Sequence, residues 1–517
     1  MYAATLFAPR MDTTTGPLAG RTDPAPPRAG RREWTALAVL MLPLLLVSMD
    51  VSVLYFAIPF ISEDLAPSST QQLWILDMYG FVLAGLLITM GALGDRVGRR
   101  RLVLAGAAVF GLASVAAAYA DSPQLLIAVR ALLGVGGAAL MPSTLALIRN
   151  LFHDAGQRAR AVTAWTGVMT LGISFGPVVS GALLERFWWG SVFLINLPAM
   201  VLLLVLAPLL LPEVKQPPAG RFDWVSAVLS LAGLLPLIQG VKQLARNGVG
   251  LPPLLSVVAG LALLYVFVRR QSRLAHPLVD LELLRRRTYG GAVLANLFAI
   301  AATVGMAVFL TQYLQSVLGQ SPFQAALWSL VPALGACVGA PAGAVLARRF
   351  DRGRVMATGF AVSACGFLAL TRVRTDSALW FTLTACAVYT SGLVAAMALA
   401  NELALGAAPP DRAGAAAAVM ESGQELGGAL GMAVLGSIGA AVYRHGMAGA
   451  PSAARETLGG ALSSLRGPDL APALASFTRG LDCAALGAAV LMAGAAGVAL
   501  ARLRGPRLEG VPSPPGR

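Results

Sequence analysis

Four acidic residues lie inside long apolar stretches of this sequence, where a charged side chain is expensive. They are Asp50, Asp77, Glu421 and Glu425, whereas most of the 25 acidic residues fall in hydrophilic segments. Placing one charge near the centre of a bilayer costs at least about 2.5 to 3.5 kcal/mol, and such residues mark ion and proton pathways. A buried carboxyl group gains or loses a proton as a neighbouring cation leaves or approaches. The four acids are therefore candidates for proton or cation exchange.

Arg130 is a basic residue in an apolar stretch and a natural counter-ion for these acids. If the stretches are membrane-crossing helices, Asp50 lies roughly 21 Å from the inner edge of a hydrocarbon core about 30 Å thick. Asp77 and Arg130 lie roughly 8 Å and 9 Å below the outer edge. We therefore expect all three in the outer half of the membrane, with Arg130 paired to one of the two aspartates. We interpret the group as a proton-coupling site, and a purely structural ion pair is the alternative.

Glu421 and Glu425 are one helical turn apart, so both project from one face of their helix. Two neighbouring carboxylates repel, so at least one holds a proton when no cation is bound. The pair is a candidate site for an organic cation, and the alternative is a hydrogen bond to a neighbouring helix. Aromatic rings could add cation–π contacts, although each could equally pack against protein or lipid. The candidate rings are Tyr55, Trp165 and Tyr313.

The composition indicates that helices in a membrane position these residues. Of 517 residues, 57% are hydrophobic and 12% are charged, whereas soluble domains average about 25% charged residues. A bilayer span needs roughly 20 apolar residues. The apolar segments lie near 34–61, 72–93, 102–120, 124–148, 161–185, 192–212, 223–241, 251–268, 289–315, 322–347, 355–371, 377–407, 414–443 and 481–501. The sequence thus predicts an all-α polytopic membrane protein with fourteen transmembrane helices.

The net charge of +14 is interpreted as a sign of topology, because the basic residues form short clusters between apolar segments. No nucleic-acid partner is expected. With the N-terminus inside, the inner segments hold 29 Lys and Arg residues and the outer loops hold nine, with Lys242 among the nine. Cytoplasmic loops carry such an excess. Both termini are therefore predicted to be cytoplasmic.

A weak internal repeat divides the chain. The basic turn at 91–101 (GALGDRVGRRR) has an echo at 343–354 (GAVLARRFDRGR), eight spans later. Paired halves of six spans would be separated by six, so two additional helices are expected between the halves. The predicted organisation is a disordered cytoplasmic tail (1–33), a six-helix bundle (34–212), two inserted helices with linkers (213–288), a second six-helix bundle (289–501) containing an outer loop (444–480), and a cytoplasmic tail (502–517).

The sequence contains no recognisable catalytic, metal or cofactor motif. The four cysteines lie in apolar runs without metal-binding spacings. The only two lysines are each followed by Gln, so the phosphate-binding GK[ST] pattern does not occur. A GxSxG pattern at 172–176 lies within a predicted span rather than at a strand-to-helix turn. We therefore predict a protein that is not an enzyme, uses no cofactor and draws its energy from the proton motive force.

Four motifs and one further segment resemble the major facilitator superfamily, and specifically its fourteen-span drug:proton antiporter branch. Residues 49–59 around Asp50 are similar to the branch's acidic first-span motif, and WILDMY at 74–79 resembles its second-span entry. RALLG at 130–134 resembles the proton-transfer motif, with Leu133 in place of the usual Gln. The loop signature of the superfamily is matched at 91–100, and the span-5 antiporter motif is matched at 172–181.

The resemblance implies roles for the last two motifs. The loop after span 2 is expected to gate the transporter by holding two helices in one of two states, and simple positive-inside anchoring is the alternative. Its gating residues are Gly91, Asp95, Arg96, Gly98 and Arg99. The span-5 motif marks exporters, and a generic kinked helix is the alternative. Its residues are Gly172, Gly176, Pro177 and Gly181.

The sequence therefore predicts a proton-coupled efflux transporter for lipophilic, cationic drugs or antibiotics. It would expose a central cavity alternately to the two sides of a bacterial inner membrane. Its expected partners are the drug, protons and the lipid bilayer, and a monomer is assumed. Two other classes stay open: a facilitator-type proton symporter for import, and a non-transporting membrane sensor.

Overall fold

The computed structural model describes residues 29–213, 223–248, 250–274, 281–407 and 413–503, and all regular elements in these ranges are helices. The first half contains α1 (Arg31–Leu65), α2 (Ser69–Val97), α3 (Arg99–Ala118), α4 (Pro123–Leu151), α5 (Ala155–Leu184), α6 (Ser191–Leu194) and α7 (Asn196–Leu210). Then follow α8 (Trp224–Asn247), α9 (Leu251–Gln271) and α10 (Leu281–Arg285). The second half contains α11 (Arg287–Gln312), extended by a π-helical turn (Tyr313–Val317), α12 (Pro322–Trp328), α13 (Val331–Arg349), α14 (Arg352–Leu370), α15 (Leu379–Ala407), α16 (Ala413–Gly446), α17 (Ser452–Glu456), α18 (Leu458–Ser464) and α19 (Ala471–Arg502).

Short polar side chains begin several of these helices. Ser68, Asp154 and Asp223 each accept a hydrogen bond from a backbone N–H in the first turn of α2, α5 and α8. These bonds satisfy donors that the helix itself leaves unpaired. Gly98 separates α2 from α3 with φ at +114°, a conformation that side chains with a Cβ rarely adopt.

Twelve described segments are helical, long and apolar enough to cross a membrane, so the protein is a multi-pass cell membrane protein. Every predicted apolar segment overlaps a helix. Two of these helices, α2 with 29 residues and α8 with 24, are not among the twelve candidate spans. The count of fourteen spans therefore stays a prediction. Lys242 was counted with an outer loop, but it lies inside α8 and is 1% exposed.

Two large hydrophobic clusters occupy the two halves. One is formed mainly by α1 to α7, and the other by α11 and α14 to α19. Helices α8 and α9 pack against each other, and α8 also packs against α2 and α16. A third, small cluster forms where α2, α8 and α16 meet. The inserted pair is thus attached to both halves through α8.

The segment at 444–480, predicted as an outer loop, is mostly helical. Helix α16 continues to Gly446, two short helices follow, and α19 begins at Ala471, ten residues before the predicted apolar segment. Burial of Phe477 stabilises this extra length of α19. Glu456 at the end of α17 accepts hydrogen bonds from the backbone N–H and hydroxyl of Ser69 at 3.1 Å. Most of both predicted tails, at 1–28 and 504–517, lies outside the described residues.

Candidate functional site

A cavity of about 490 Å³ lies between the two halves. Its walls come from α1, α2, α4 and α5 on one side, and from α11, α12, α13, α15 and α16 on the other. The lining is largely apolar. Asp77 and Glu425 are the acidic residues among the described residues that line it, and the carboxylate oxygens of Asp77 are themselves covered. The size and the apolar lining with a few polar groups are typical of a site for a drug-sized molecule.

Asp50 of α1 and Arg130 of α4 form a buried ion pair beside this cavity. Their residues are 6% and 1% exposed. The Arg130 Nε also donates to the Ile75 carbonyl oxygen at 3.1 Å, and its guanidinium lies 4.8 Å from the centre of the Tyr79 ring. These contacts fix the guanidinium against α1 and α2. Of the two candidate aspartates, Arg130 pairs with Asp50. Neither charged residue lines the cavity itself.

Asp77 of α2 has a different partner, which the sequence analysis missed. The Lys242 Nζ lies 2.8 Å from the Asp77 Oδ2, and the two residues are 1% and 3% exposed. Lys242 belongs to the inserted helix α8. The signal that could have identified it is its rarity, because it is one of only two lysines and lies at the margin of an apolar segment.

Glu425 and Glu421 differ in their access to the cavity. Glu425 lines it, whereas Glu421, one turn earlier in α16, does not. Among the described residues, neither carboxylate has a hydrogen-bond or ion-pair partner. On nearly the opposite side of α16 from Glu425, a Cβ added to Gly427 would lie 2.7 Å from the Leu297 carbonyl oxygen. Because Gly427 has no side chain, α11 can pack closely against α16 at this point.

Of the three aromatic residues predicted to contact a cation, one lines the cavity and two do not. Tyr55 lines the cavity, and so does Tyr389 of α15, which the sequence analysis did not single out. Trp165 and Tyr313 lie outside the lining. The Trp165 Nε1 donates to the Thr144 hydroxyl at 3.2 Å, and the Tyr313 hydroxyl donates to the Arg374 carbonyl oxygen at 2.6 Å. These bonds hold both rings within the protein, away from a molecule in the cavity.

The loop signature lies at the junction of α2 and α3. Glu213, just after α7, packs against Gly98, and its Oε2 lies 3.6 Å from the Arg100 Nε and 3.7 Å from the Arg101 Nε. These charges attach the junction to the end of α7, a connection that the motif alone did not reveal. The side chain of Asp95 lies outside the part of the chain that the structure describes.

The other residues of the signature follow the helix ends. Gly91 lies in α2 opposite Pro142 of α4, from which an added Cβ would be 3.8 Å away. Arg96 and Arg99 are partly buried at the adjoining ends of α2 and α3. The motif therefore occupies a junction of α2, α3, α4 and the end of α7.

The span-5 motif brings α5 against α1 beside Asp50. A Cβ added to Gly172 would lie 2.6 Å from the Leu45 carbonyl oxygen, and one added to Gly176 would meet the Ser52 hydroxyl. The motif's Pro177 lines the cavity. These glycines therefore permit a contact between α5 and α1 that larger residues would block.

The C-terminal end of the motif touches the second half of the chain. Gly181 approaches the Pro322 carbonyl oxygen so closely that an added Cβ would lie 2.7 Å from it. Nearby, the Ser321 hydroxyl donates to the Glu185 carboxylate at 2.7 Å. Helices α5 and α12 thus join the two halves at this end of the cavity.

Known proteins of similar sequence are named as efflux pumps or transporters. The chain is 42% identical over 489 residues to the multidrug efflux pump LfrA of Mycolicibacterium smegmatis, covering 92% of this chain and 97% of the relative. It is 34% identical to the methyl viologen resistance protein SmvA of Salmonella typhimurium, covering 78% of this chain and 82% of the relative. It is 35% identical to a probable actinorhodin transporter of Streptomyces coelicolor, covering 82% of this chain and 75% of the relative.

The fold is shared with solved transporters. A bacterial homologue of the human lysosomal transporter Spinster, in an inward-facing and unoccupied conformation, superposes with a TM-score of 0.63. The match covers 91% of this chain and 97% of that one at 17% identity, so it concerns the fold alone. The sequence profile of the Major Facilitator Superfamily matches residues 40–432. With most of its length matched by this profile, the chain belongs to the Major Facilitator Superfamily, whose members are transporters and not enzymes.

Proposed function

We propose that this protein is a proton-coupled efflux transporter that exports lipophilic cations across the cell membrane. The observation that carries the proposal is the cavity, which combines a largely apolar lining with two acidic residues, Asp77 and Glu425, and with Tyr55 and Tyr389. Such a lining can bury the body of a lipophilic drug while carboxylates and rings attract its positive charge. Relatives named as a multidrug efflux pump and a methyl viologen resistance protein support the direction of transport.

The proposed topology has fourteen spans with both termini in the cytoplasm, and six-helix bundles on either side of α8 and α9. At about 1.5 Å per residue, α2 and α8 extend roughly 43 Å and 36 Å, enough to cross a core of about 30 Å. The excess of Lys and Arg in alternate connections supports the orientation.

In this orientation the halves are joined at the exterior end. Glu185 accepts from Ser321, and Glu456 accepts from Ser69, in both cases between the first half and the second. These contacts support an arrangement in which the halves meet at the exterior end of the cavity. Export requires these contacts to open while the loop signature at the other end closes.

The proposed coupling group is the buried pair of Asp50 and Arg130. A proton on Asp50 would cancel the attraction that holds Arg130, and the guanidinium would then shift relative to α1 and α2. The adjacent contact of Gly172 and Gly176 with α1 would carry that shift to α5, which lines the cavity. Binding of the drug and of the proton must be negatively coupled, and this coupling is reciprocal.

The test uses everted membrane vesicles with an acidic interior, to which ethidium is added. We expect the dye to dissipate the pH gradient with the wild type but not with Asp50→Asn, which keeps the shape and removes the charge. Asp64→Asn is the matched control, because Asp64 lies on the same helix, is exposed, and accepts from the Trp189 Nε1 at 2.7 Å. It should behave as the wild type.

Each result separates the proposals. If no tested cation affects the gradient but a neutral or anionic antibiotic dissipates it, antiport stands and cation selectivity is wrong. If no compound does so, the efflux proposal is contradicted, and an importing symporter or a sensor is favoured. If Asp50→Asn couples as well as the wild type, Asp50 is not in the proton pathway.

A further inference from the structure

Lys242 places a positive charge in the interior of the helix bundle. Its Nζ lies 2.8 Å from the Asp77 Oδ2, and it is 1% exposed. Withdrawing an ammonium group from water is costly unless an opposite charge and further favourable contacts compensate. The surroundings of Lys242 provide both, so the position is built to hold a cation.

Two aromatic rings complete the environment of this ammonium group. The Lys242 Nζ lies 3.9 Å from the centre of the Trp74 ring and 6.0 Å from that of Phe81. The Trp74 Nε1 donates to the Gln239 Oε1 at 2.7 Å, which orients the ring against α8. A carboxylate together with ring faces within about 6 Å is the arrangement by which proteins bind ammonium cations.

Asp77 connects this position to the cavity. Asp77 lines the cavity, whereas Lys242 approaches it from the side of α8 and is not part of the lining. The other charged or titratable groups that act on Asp77 or lie beside it at the cavity are Arg130, already paired with Asp50, Tyr55 of α1 and Glu425 of α16. Lys242 is therefore the cation in direct contact with the carboxylate of a residue that lines the cavity, and both oxygens of that carboxylate are covered while Lys242 is in place.

We infer that Lys242 is an internal counter-ion that occupies the cation position at Asp77 and competes with a cationic substrate for that carboxylate. This inference deepens the proposed function and rests on it. A substrate cation that contacts Asp77 has to weaken the ion pair between Asp77 and Lys242. Part of the attraction between the substrate and Asp77 is therefore offset. In return, Asp77 is not left as an unpaired charge when the cavity is empty, which would be strongly unfavourable. Helix α8 is then part of the transport site and not only a spacer between the halves.

The inference predicts tighter cation binding when the competitor is removed. Ethidium binding to the purified full-length protein in detergent is measured at neutral pH. Lys242→Met should lower the Kd for ethidium by about tenfold or more, the factor expected from one charge-assisted hydrogen bond. Adding Asp77→Asn to Lys242→Met should abolish this gain, because the contested carboxylate is then absent.

A second variant separates charge from helix packing. Gln239→Leu removes the hydrogen bond between Trp74 of α2 and Gln239 of α8 without changing any charge, so the Kd for ethidium should stay at the wild-type value. If Lys242→Met does not fold, Lys242→Gln retains a hydrogen-bond donor of similar length and should shift the Kd in the same direction. Thermal unfolding of each variant shows whether it is folded before binding is measured.

A merely structural pair gives a different pattern. If folded Lys242→Met or Lys242→Gln binds ethidium as the wild type does or more weakly, Lys242 does not compete for Asp77 and the inference is overturned. It is also overturned if neither variant folds, since the pair is then required for assembly. If the wild type binds and exports no cation at all, the proposed function fails together with it. If the wild type exports cations but the variants bind ethidium with an unchanged Kd, only the competition between Lys242 and the substrate for Asp77 is refuted.

Discussion

Replacing Gly172 by Ala tests whether the contact between α5 and α1 is as close as the structure indicates. The Cβ would lie 2.6 Å from the Leu45 carbonyl oxygen and would also meet the hydroxyl of Ser48, which itself donates to that carbonyl at 2.8 Å. The carbonyl belongs to the helix backbone and cannot rotate away. Gly167 provides a matched control on the same helix, because a Cβ added there has nothing within 4 Å.

The magnitude follows from the shortfall in space. Ordinary contact begins at 3.4 Å, so α5 must move from α1 by about 0.8 Å to accept the methyl group at position 172. Overpacking of this kind costs about 1 to 3 kcal/mol. Both substitutions gain the same helix propensity of about 0.5 to 1 kcal/mol. That gain cancels in the comparison, so Gly172→Ala should be less stable than Gly167→Ala by about 1 to 3 kcal/mol.

The measurement is reversible unfolding of both variants in detergent micelles, combined with ethidium transport in everted vesicles. Gly167→Ala should be at least as stable as the wild type and fully active. Gly172→Ala should lose stability and transport together, because the displaced contact lies beside Asp50. Equal stability of the two variants would refute the close approach of α5 to α1. Full transport by a destabilised Gly172→Ala would show that this contact serves the fold and not the coupling.

Three further predictions concern single side chains. Arg130→Met leaves Asp50 as an unpaired buried charge and should lower the free energy of unfolding by about 3 to 5 kcal/mol. Adding Asp50→Asn should restore most of the lost stability. If the double mutant shows no restoration, the ion pair between Arg130 and Asp50 is excluded. Glu425→Gln should weaken ethidium binding by about tenfold, whereas Glu421→Gln, outside the cavity lining, should not; equal Kd values in a dye titration would contradict this. Gly98→Ala, at φ +114° and against a carboxylate, should cost about 1 to 3 kcal/mol in the same unfolding assay, and a neutral result would argue against that backbone conformation.

The helices follow from local sequence, because a long apolar stretch in a membrane must satisfy its backbone hydrogen bonds internally. Each predicted segment accordingly overlaps a helix. The ends were less predictable. The apolar segment at 223–241 stops before Lys242, yet α8 continues to Asn247. Hydropathy counts a lysine as a cost whatever its surroundings, whereas the folded protein supplies Asp77 as its partner. An interaction with a distant part of the chain thus compensates the buried charge of Lys242 within the helix, which ends before Gly248 at φ +78°.

The candidate site also contains features that the sequence could predict and features that it could not. Depth in the membrane follows from residue number, so Asp50, Asp77 and Arg130 could be placed in one layer. Depth does not determine the direction in which a side chain points around its helix, and for this reason Trp165 and Tyr313 were proposed for a cavity that they do not line.

By itself, the sequence determined which residues share a helix and a face: the one-turn spacing of Glu421 and Glu425, and the four-residue spacing of Gly172 and Gly176, are properties of a single helix. Only the tertiary structure decided that Arg130 pairs with Asp50, and that Asp77 pairs with a lysine 165 positions away. Those partners lie on different helices, and their neighbours are set by how closely the helices pack, which no spacing along one helix contains.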